Sequence, residues 1–395
     1  MRDEGSGTNN ISKKAAIVGI GVSNFSKDSG KTELRMTCEC IKEALDDAGL
    51  VPLDIDGMVK HTDDATDEHS VTSAMGMGNL SYFGECRWDG SSCAMVMRAA
   101  IGVAAGMANY VVVYRAVNGS SKRRMGTMSR NMEQMATGDL VQWTFHAPFG
   151  LTSEAGRVAM IVRRYMHEFG ARREQFGWVS TVCREHGAKN PRSMFYKKPI
   201  TVQDYLDSKV IVDPLCLMDC YEQADSAVAM VVTTAERARE LRQKPASILG
   251  AAQSMVAETE EKNGYYRTKI ADLPEVGHMG RKLFAMAGVG PEDIRVAQLD
   301  DCYAPLVPMQ LEVLGFCGTG EGAAFCDGGT RIREGGELVI NSSGGSLGEG
   351  HIYGMNHVVE AVRQIRGTST VQVRDAELAL VATGAGGPAS GLILG

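Results

Sequence analysis

One eight-residue phrase occurs twice in the chain, and this repetition limits the possible folds more than any other feature. Ala48-Gly-Leu-Val-Pro-Leu-Asp-Ile55 returns as Ala287-Gly-Val-Gly-Pro-Glu-Asp-Ile294, with five of eight positions identical and no gap. Each copy ends a segment with helical spacing, residues 32–48 in the first case and 278–286 in the second. A common type of helix exit would explain one repeated phrase, so a second, independent repeat is needed to favour duplication of the chain.

The second echo is coarser and falls in the same order along the chain. In each half a helix leads through one Gly into strand-like sequence: 94–105, Gly106 and 110–116 in the first half, and 355–366, Gly367, 369–373 and 378–383 in the second. Two echoes in one order predict an internal duplication in which a strand–helix unit is used twice.

Strands alternating with helices predict an α/β fold with mostly parallel strands. No long Pro-, Ser- or Gly-rich linker separates the two halves, so we expect them to pack tightly. The predicted boundaries are a disordered leader over residues 1–12, an N-terminal half over 13–245 with a loop insertion at 118–208, and a C-terminal half over 246–395.

Charge and composition exclude several classes of function. The net charge of −7 disfavours a nucleic-acid-binding protein, whose affinity depends on a positive field. The N-terminal residues lack the apolar core of a signal peptide, and no apolar stretch approaches the length of a membrane span. We therefore expect a cytoplasmic protein without a membrane span. Its ten cysteines should be reduced thiols, and their spacing predicts no metal site.

The densest cluster of special residues is a Gly-rich loop over residues 341–356. Its candidate functional residues are Ser343, Gly344, Gly345, His351 and Tyr353. Such a loop presents backbone N–H groups with little steric hindrance, and the N-terminus of the helix that follows favours developing negative charge. A tight turn with capping side chains is the alternative, but the convergence of His, Tyr and Asn on one loop favours a functional site.

Two further loops add candidates. Asp300, Asp301 and Tyr303 follow a predicted strand, where the carboxylates would either orient the tyrosine or cap the next helix. A second Gly-rich turn, over residues 382–391, contains Gly386 and Gly387 and follows a buried strand near the end of the chain.

Together these motifs resemble the thiolase superfamily, most closely its sterol carrier protein x-like branch. Asp300-Asp-Cys-Tyr-Ala304 stands where that branch has an Asn-Glu-Ala-Phe or His-Asp-Cys-Phe block. Asn341-x-x-Gly-Gly with Gly350-His-x-x-Gly354 is similar to the loop that bears the catalytic His, and residues 382–391 to the final Gly-rich segment. The likeness covers residues 13–395. It implies two similar halves around a five-layered α-β-α-β-α core, and a homodimer.

The resemblance breaks down at the two cysteines on which thiolase chemistry depends. Counted back from Gly106, the nucleophile position falls on Asp89, which lies between Cys86 and Cys93. The second cysteine position falls on Ala382 or Thr383. Because a carboxylate cannot replace a thiolate in forming an exchangeable thioester, ordinary thiolysis is disfavoured.

Tyrosine occupies the site instead, in a pattern that resembles the bacterial steroid side-chain-cleaving aldolases. In that subgroup a pair of tyrosines replaces the cysteine pair, and the resemblance maps them onto Tyr303 and Tyr353 with His351 between them. The blocks Gly315-Phe-Cys-x-x-Gly-Glu-Gly322 and 354–364 are also similar. The resemblance implies retro-aldol cleavage of a β-hydroxyacyl-CoA, with a steroid side chain as acyl group, to a ketone and a short acyl-CoA. It also implies a small OB-fold partner subunit that carries a zinc ribbon, which leaves this chain metal-free.

The resemblance also assigns roles. We expect Tyr303 to act as the base on the tertiary hydroxyl and Tyr353 to return a proton to the α-carbon, although the sequence alone does not separate the two roles. His351 and loop amides would hold the thioester oxygen as it gains charge. The predicted catalytic set is Tyr303, Tyr353, His351, Asp300 and Asp89, and the predicted substrate- and CoA-binding set is Lys122, Arg123, Arg124, Ser343, Gly344, Gly345, Gly386 and Gly387. Coenzyme A enters as part of the substrate, and we expect no tightly bound cofactor.

Alternatives stay open at the level of sequence. The chain could be a β-ketoacyl-CoA thiolase that uses Cys93 or Cys86 as nucleophile, with His351 activating CoA. It could also be a non-catalytic lipid-binding or scaffold subunit that serves a partner enzyme. The basic run 122–124 could equally be a solvated surface segment.

Overall fold

The computed structural model describes residues 11–88, 90–122, 144–257 and 267–395. Of the leader predicted over residues 1–12, the first ten fall outside this range, and Ile11 packs against the core. Asp89, Arg123 and Arg124, which the sequence nominates as site residues, also lie outside the described residues.

Strands and helices alternate along the described residues, as the sequence predicts. The strands are β1 Ala15–Val22, β2 Gly57–His61, β3 Tyr82–Cys86, β4 Tyr110–Asn118, β5 Val210–Val212, β6 Leu215–Cys216, β7 Asp225–Thr234, β8 Ala246–Ser254, β9 Val296–Leu299, β10 Val339–Ile340, β11 Ala379–Thr383 and β12 Ala389–Leu394. The helices are α1 Glu33–Ala48, α2 Glu68–Met75, α3 Ser92–Ala104, α4 Glu154–Phe169, α5 Arg173–Lys189, α6 Val202–Leu206, α7 Ala235–Ala238, α8 Pro274–Ala287, α9 Leu306–Val313, α10 Gly322–Cys326, α11 Gly345–Gly348 and α12 Met355–Arg366.

The sheet topology has an internal symmetry. A ten-stranded sheet runs in the order β10-β9-β11-β12-β8-β1-β7-β4-β2-β3, so β1-β7-β4-β2-β3 on one side corresponds to β8-β12-β11-β9-β10 on the other. In each set the first two pairings are antiparallel and the last two are parallel. The expectation of mostly parallel strands is therefore wrong, because the strands near the centre of the sheet pair antiparallel. The two sets meet in the sheet where β1 pairs with β8, and along the chain the first set ends with β7 and the second begins with β8. The division after residue 245 stays a prediction.

The repeated phrase folds in the same way in both halves. Pro52–Asp54 and Pro291–Asp293 each form a single 3₁₀ turn. In each turn the Asp carboxylate accepts a hydrogen bond from the backbone N–H three residues earlier, at 2.8 Å. The identical Pro and Asp positions thus make the same helix exit twice, after α1 and after α8.

The halves of the sheet stack in five layers. Helix α1 covers the outer face of the β1 half, and α8 and α9 cover the outer face of the β8 half. Helices α3 and α12 lie between the two halves. Both faces of the sheet are covered by helices because successive side chains of β4 point to opposite faces. Val111 and Val113 face the middle layer, whereas Val112 and Tyr114 face α1. The predicted fold class is confirmed.

The insertion of the N-terminal half lies over the C-terminal half. Helices α4 and α5 contribute Val158 and Val179 to the hydrophobic core that also contains Leu283 of α8. Helix α5 approaches the Gly-rich loop so closely that a Cβ on Gly344 would lie 2.7 Å from Cα of Gly187. Glycine at these positions therefore lets the insertion form one wall of the candidate site.

The predicted strand-like segment at 369–373 is a turn, so this prediction is wrong. The N–H of Ser369 donates to the side-chain oxygen of Gln372, and the N–H of Val373 donates to the side-chain oxygen of Gln364. These hydrogen bonds to side-chain amides replace the backbone hydrogen bonds that a strand would make to its neighbour.

Candidate active site

The candidate site lies where loops from both halves meet, beyond the carboxyl ends of parallel strands. Strands β2 and β4 run parallel in one half, and β9 and β11 run parallel in the other. Tyr303 follows β9, and the Gly-rich loop that contains His351 and Tyr353 precedes α12. Such a strand-end crevice is the usual position of a ligand site in an α/β fold.

Four aromatic rings form a continuous chain across this crevice. The ring of Tyr303 meets that of Tyr221 edge-on, with the centroids 5.9 Å apart. The ring of Tyr221 lies 4.2 Å from that of His351, and the ring of His351 lies 4.6 Å from that of Tyr353. The structure thus brings together both tyrosines and the histidine nominated from the sequence. Tyr221, which sequence reasoning missed, lies between them.

A short extended segment joins the two loops. The N–H of Tyr221 donates to the carbonyl of Cys302 at 2.9 Å, and the N–H of His351 donates to the carbonyl of Glu222 at 2.9 Å. Because residues 221 and 222 bind one loop each, the spacing between Tyr303 and His351 is set by the backbone.

Tyr353 is held in an uncommon conformation. Its φ is 56°, in the left-handed region that costs a residue with a Cβ about 1–2 kcal/mol. The Ser92 hydroxyl at the start of α3 donates to the Tyr353 carbonyl at 2.6 Å. A contact from the opposite half therefore stabilises the strained residue, as is common at functional sites.

A buried cation that sequence reasoning missed lies against Tyr353. The guanidinium carbon of Arg115 is 3.6 Å from the centroid of the Tyr353 ring. Its Nε lies 3.2 Å from Oδ1 of Asp64, and both side chains are no more than 3% exposed. Burial raises the pKa of Asp64 to about 6, although the Arg115 charge opposes this shift. His61 completes the group, its ring tilted only 20° from that of Tyr353 at a centroid distance of 6.3 Å.

The alternation of inward- and outward-facing side chains along β4 could have identified Arg115 from the sequence. Val111, Val113 and Arg115 share one face of the strand, and the first two face the middle layer. A charged residue at an inward position of an apolar strand marks either an error in register or a functional group.

Asp301 is a buried anchor of the His351 loop. Its carboxylate accepts hydrogen bonds from the N–H groups of Ser346 and Leu347 at 2.8 and 3.1 Å. Nε2 of His357 lies 3.2 Å from Oδ1. Although burial of His357 disfavours its charged form, Asp301 raises the pKa of His357 above its ordinary value. Asp301 is thus neither a helix cap for α9 nor a partner of Tyr303, but a support for the neighbouring loop.

Asp300 fixes a different loop. Its Oδ2 accepts hydrogen bonds from the N–H groups of Gly384 and Ala385 at 2.8 and 3.0 Å, and its Oδ1 accepts from the N–H of Cys302 at 3.1 Å. Three backbone N–H groups therefore occupy much of the hydrogen-bonding capacity of this carboxylate. Asp300 therefore holds the turn of Gly386 and Gly387 against the end of β9.

Some polar side chains of the Gly-rich loop bind one another or the insertion. The Ser343 hydroxyl donates to Oε2 of Glu349 at 2.8 Å, and Asn190 of the insertion donates to Oε1 at 2.7 Å. Burial raises the pKa of Glu349, against the opposing effects of the Arg363 charge and of hydrogen bonds from Asn356 and Ser343. Gly345 has a φ of 63° and its Cα lies against Asp301, so Gly344 and Gly345 permit the tight turn. On the far side of this turn, Nδ1 of His351 lies 3.2 Å from the hydroxyl oxygen of Ser346.

The predicted CoA-binding residues that the structure describes lie in three loops, which contain Lys122, Ser343–Gly345 and Gly386–Gly387. Lys122 is exposed at the end of a loop whose residues Ser120 and Ser121 donate backbone hydrogen bonds to Asp225 at 3.1 and 2.9 Å. Gly386 has a φ of 86°, and nothing lies within 4 Å of a Cβ placed on Gly387. Arg123, Arg124 and Asp89 are outside the described residues, so their predicted roles stay predictions.

The two cysteines nearest the expected nucleophile position are poor nucleophiles. Cys93 is fully buried in the first turn of α3, and burial raises the pKa of its thiol to about 12. Burial also raises the pKa of Cys86 at the end of β3, despite the nearby Arg98. Because the thiolate is the reactive form, neither side chain suits acyl transfer at neutral pH.

The described ranges contain neither a metal-binding cluster nor a helix suited to a membrane. No group of three or more His, Cys, Asp and Glu side chains there could hold a metal ion. No helix in residues 11–88, 90–122, 144–257 or 267–395 combines the length and apolarity needed to cross a bilayer.

Known proteins resemble this chain over nearly its whole length. Residues 258–393 match a family model described as thiolase C-terminal domain-like. The chain is 47% identical over 386 residues to the 17-hydroxy-3-oxo-4-pregnene-20-carboxyl-CoA lyase of Mycobacterium tuberculosis, which covers 98% of this chain and 100% of that protein. It is 46% identical over 385 residues to the steroid side-chain-cleaving aldolase of Thermomonospora curvata, which covers 96% of this chain and 97% of that protein.

The chain belongs to the steroid side-chain-cleaving aldolases of the thiolase superfamily. A solved structure of the Ltp2-ChsH2(DUF35) aldolase agrees with this family, with a TM-score of 0.92, 44% identity and coverage of 98% of this chain and 99% of that chain. The predicted family is therefore confirmed, and the five-layered architecture is that of a member of this aldolase branch.

Proposed function

We propose that this aldolase-family chain is a carbon–carbon lyase that cleaves the Cα–Cβ bond of a β-hydroxyacyl-CoA with a steroid side chain. The products would be a ketone and a short acyl-CoA. The names of the relatives support this class, since one acts on a steroid carboxyl-CoA and the other cleaves steroid side chains. The observation that carries the mechanism is the ring chain from Tyr303 through Tyr221 and His351 to Tyr353.

The reaction needs two proton transfers and a place for negative charge. One tyrosine oxygen takes the proton of the tertiary hydroxyl, the Cα–Cβ bond breaks as the ketone forms, and its electron pair passes to the thioester enolate. The other tyrosine returns a proton to the α-carbon. His351 and N–H groups of the Gly-rich loop stabilise the thioester oxygen as it gains charge. Two phenols that flank one imidazole supply the groups that these reaction steps require.

The cysteines favour a lyase over a thiolase. A β-ketoacyl-CoA thiolase needs a thiolate that forms an acyl-enzyme, whereas Cys93 and Cys86 have pKa values raised by burial. A purely lipid-binding subunit would not need the buried Arg115 against Tyr353, because a buried charge is costly without a function or a full set of partners.

Coenzyme A is part of the proposed substrate. Lys122, with the predicted Arg123 and Arg124, supplies cations for its phosphates, and the open space at Gly387 leaves room for close approach. The chemistry uses no other cofactor.

Two protein partners belong to the proposal. The likeness to the Ltp2-ChsH2(DUF35) aldolase supports a partner of the DUF35 type, with the OB fold and zinc ribbon that the family resemblance implies. A second copy of the chain fits the outer edge of β3, which among the described strands pairs with β2 alone. Phe83 and Trp88 there are 68% and 52% exposed, and an exposed apolar edge strand favours pairing with another chain. Phe83→Glu should therefore convert a dimer to a monomer in light scattering, and an unchanged mass would contradict this interface.

The test of the activity uses the chain with its DUF35 partner and a steroid β-hydroxyacyl-CoA, without free CoA. We expect equal amounts of steroid ketone and short acyl-CoA in the products, measured by mass spectrometry. A thiolase would act only on a β-ketoacyl-CoA and only after addition of free CoA. That outcome, or binding without cleavage by the complex, would overturn the proposal.

A further inference from the structure

Tyr221 adds to the crevice a ring that the sequence did not indicate. Its centroid lies 4.2 Å from that of His351, and the two planes are only 34° apart, so the contact is nearer to face-to-face than to edge-on. Its contact with Tyr303 is longer and edge-on, with the centroids 5.9 Å apart and the planes at 81°. Tyr221 and His351 are both half-buried. Of its two ring contacts, Tyr221 thus makes the closer one with the imidazole.

The backbone sets the position of the Tyr221 ring. Isolated β-bridges join Cys220 to Tyr303 and Gln223 to His351. Tyr221 lies between these bridges, so its Cα is tied on one side to the loop after β9 and on the other side to the Gly-rich loop. A ring carried by such a segment keeps a fixed position relative to both loops.

The imidazole of His351 needs neighbours that set its plane. A histidine ring turns about its Cβ–Cγ bond over broad minima, so its own torsion preference does not fix the plane. Nδ1 of His351 lies 3.2 Å from the hydroxyl oxygen of Ser346, and the Tyr353 ring lies 4.6 Å away at 53°. The Tyr221 ring is closer and more nearly parallel. Rotation of the imidazole would drive its edge into the face of Tyr221, so this ring restricts the direction of Nε2.

Tyr303 depends less on Tyr221 for its position. Its side chain is only 3% exposed and belongs to the hydrophobic core that also contains Leu306 and Val307. A side chain in a close-packed core is held by its surroundings on every side. We therefore expect loss of the Tyr221 ring to disturb the half-buried His351 more than Tyr303.

We propose that Tyr221 is a positioning residue whose ring holds the imidazole of His351 in the plane that the thioester oxygen requires. Because Nδ1 faces Ser346, the hydrogen bond to that oxygen falls to Nε2, the other ring nitrogen. The role belongs to the aromatic ring of Tyr221 and not to its hydroxyl. It rests on the proposed function for the part that His351 plays in the reaction, but the orientation of the imidazole can be observed without turnover.

The kinetic test uses the complex with the DUF35 partner and a steroid β-hydroxyacyl-CoA. Tyr221→Phe keeps the ring, so its kcat should stay close to that of wild type. Tyr221→Leu removes the ring, and kcat should fall about 10–100-fold with little change in KM, since a small displacement of a catalytic group costs up to about 100-fold. Tyr221→Met should behave like Tyr221→Leu, and its flexible side chain adapts to the gap if the leucine variant does not fold. Tyr110→Leu is the matched control, because Tyr110 is also half-buried but lies at the amino end of β4, away from the crevice.

Double-mutant cycles identify the residue through which Tyr221 acts. In a His351→Ala background, Tyr221→Leu should lower kcat no further, because residues that act as a unit are not additive. In a Tyr303→Phe background, Tyr221→Leu should keep its full effect. The opposite pattern would show that Tyr221 acts through Tyr303 and would overturn the proposal.

Crystal structures of the variant complexes without substrate test the orientation itself. Tyr221→Phe should keep the 4.2 Å separation and the 34° angle to the imidazole. In Tyr221→Leu and Tyr221→Met, the imidazole of His351 should rotate or occupy more than one orientation. A single, unchanged orientation in both of these variants would contradict the proposal.

The remaining outcomes also decide the matter. Equal losses of kcat in Tyr221→Phe and Tyr221→Leu would assign the role to the hydroxyl and overturn the proposal. A raised KM with unchanged kcat in Tyr221→Leu would make Tyr221 a substrate contact, which also overturns it. If the wild-type complex cleaves no substrate, the proposed function fails, while the crystal structures still decide whether Tyr221 holds His351.

Discussion

Asp301→Asn is the substitution with the clearest expected effect on the loop that carries His351. The carboxylate of Asp301 is completely buried and receives the N–H groups of Ser346 and Leu347 at 2.8 and 3.1 Å. The same Oδ1 that binds Ser346 lies 3.2 Å from Nε2 of His357. Asparagine has nearly the same shape, but one of its two terminal groups is a donor. Whichever way the amide is turned, it sets an N–H donor against another donor.

The expected cost follows from these contacts. A hydrogen bond to a charged group contributes about 1.5–3 kcal/mol, and a buried donor without an acceptor costs about 1–3 kcal/mol. Loss of the charge also leaves His357 without its counter-ion, and breaking a buried pair costs about 3–5 kcal/mol in total. We therefore expect the opening free energy of the loop to fall by roughly 3 kcal/mol or more, which speeds its hydrogen exchange about 100-fold.

Hydrogen–deuterium exchange of the peptide that contains Ser346 and Leu347 measures this directly. Because Asp301 raises the pKa of His357, the charged pair stabilises the folded state fully below the ordinary His pKa, and this contribution is lost as pH rises through the raised value. The effect of Asp301→Asn should therefore be larger at low than at high pH. Asp293→Asn is the control, since Asp293 also accepts a backbone N–H but is exposed. Equal exchange rates in Asp301→Asn and wild type would refute the role given to Asp301.

Further predictions concern packing, pH and the reaction itself. Gly187→Ala places a Cβ onto the carbonyl oxygen of Gly348, so thermal unfolding should show a loss of about 1–3 kcal/mol that Gly78→Ala, which has room for a Cβ, does not. A free energy of unfolding of Gly187→Ala equal to that of wild type would contradict the close packing of α5. Burial raises the pKa of Asp219 from 3.8 to about 6, so its contribution to stability is present at low pH and is lost as pH rises between these values. The stability deficit of Asp219→Asn in urea unfolding should hence shrink by about 3 kcal/mol from pH 3 to pH 7, and a constant deficit would count against it. In D₂O, the short acyl-CoA product should carry one deuterium at its α-carbon by mass spectrometry, and its absence would exclude protonation of an enolate.

The fold was predictable because its main signals are local. Hydrophobic periodicity places α1 and β1, and the repeated phrase marks the same 3₁₀ turn twice. The direction of strand pairing was not predictable, because the antiparallel contact of β1 with β8 joins residues more than 200 positions apart. The segment at 369–373 misled for a different reason, since its backbone N–H groups bind the side-chain amides of Gln372 and Gln364, three and nine residues away, instead of a neighbouring strand.

The site residues also divide into those that local sequence reveals and those that it does not. Tyr303, His351 and Tyr353 lie in loops whose unusual composition is visible in the sequence. Arg115 sits inside an apolar strand, where only the alternation of inward positions distinguishes it. The predicted role of Asp300 beside Tyr303 stays a prediction, but its carboxylate also binds backbone N–H groups 84 and 85 residues away, which no local pattern reveals.

The central claim is that tyrosine, and not cysteine, carries the chemistry. The measurement is kcat/KM of the complex on a steroid β-hydroxyacyl-CoA for Tyr303→Phe, Tyr353→Phe, Cys86→Ala and Cys93→Ala. Loss of one proton-transfer group should lower the rate by about 10²–10⁴-fold in each tyrosine variant, whereas the cysteine variants should stay within about tenfold of wild type. Full activity of both tyrosine variants, together with an inactive Cys93→Ala or Cys86→Ala enzyme, would contradict the account.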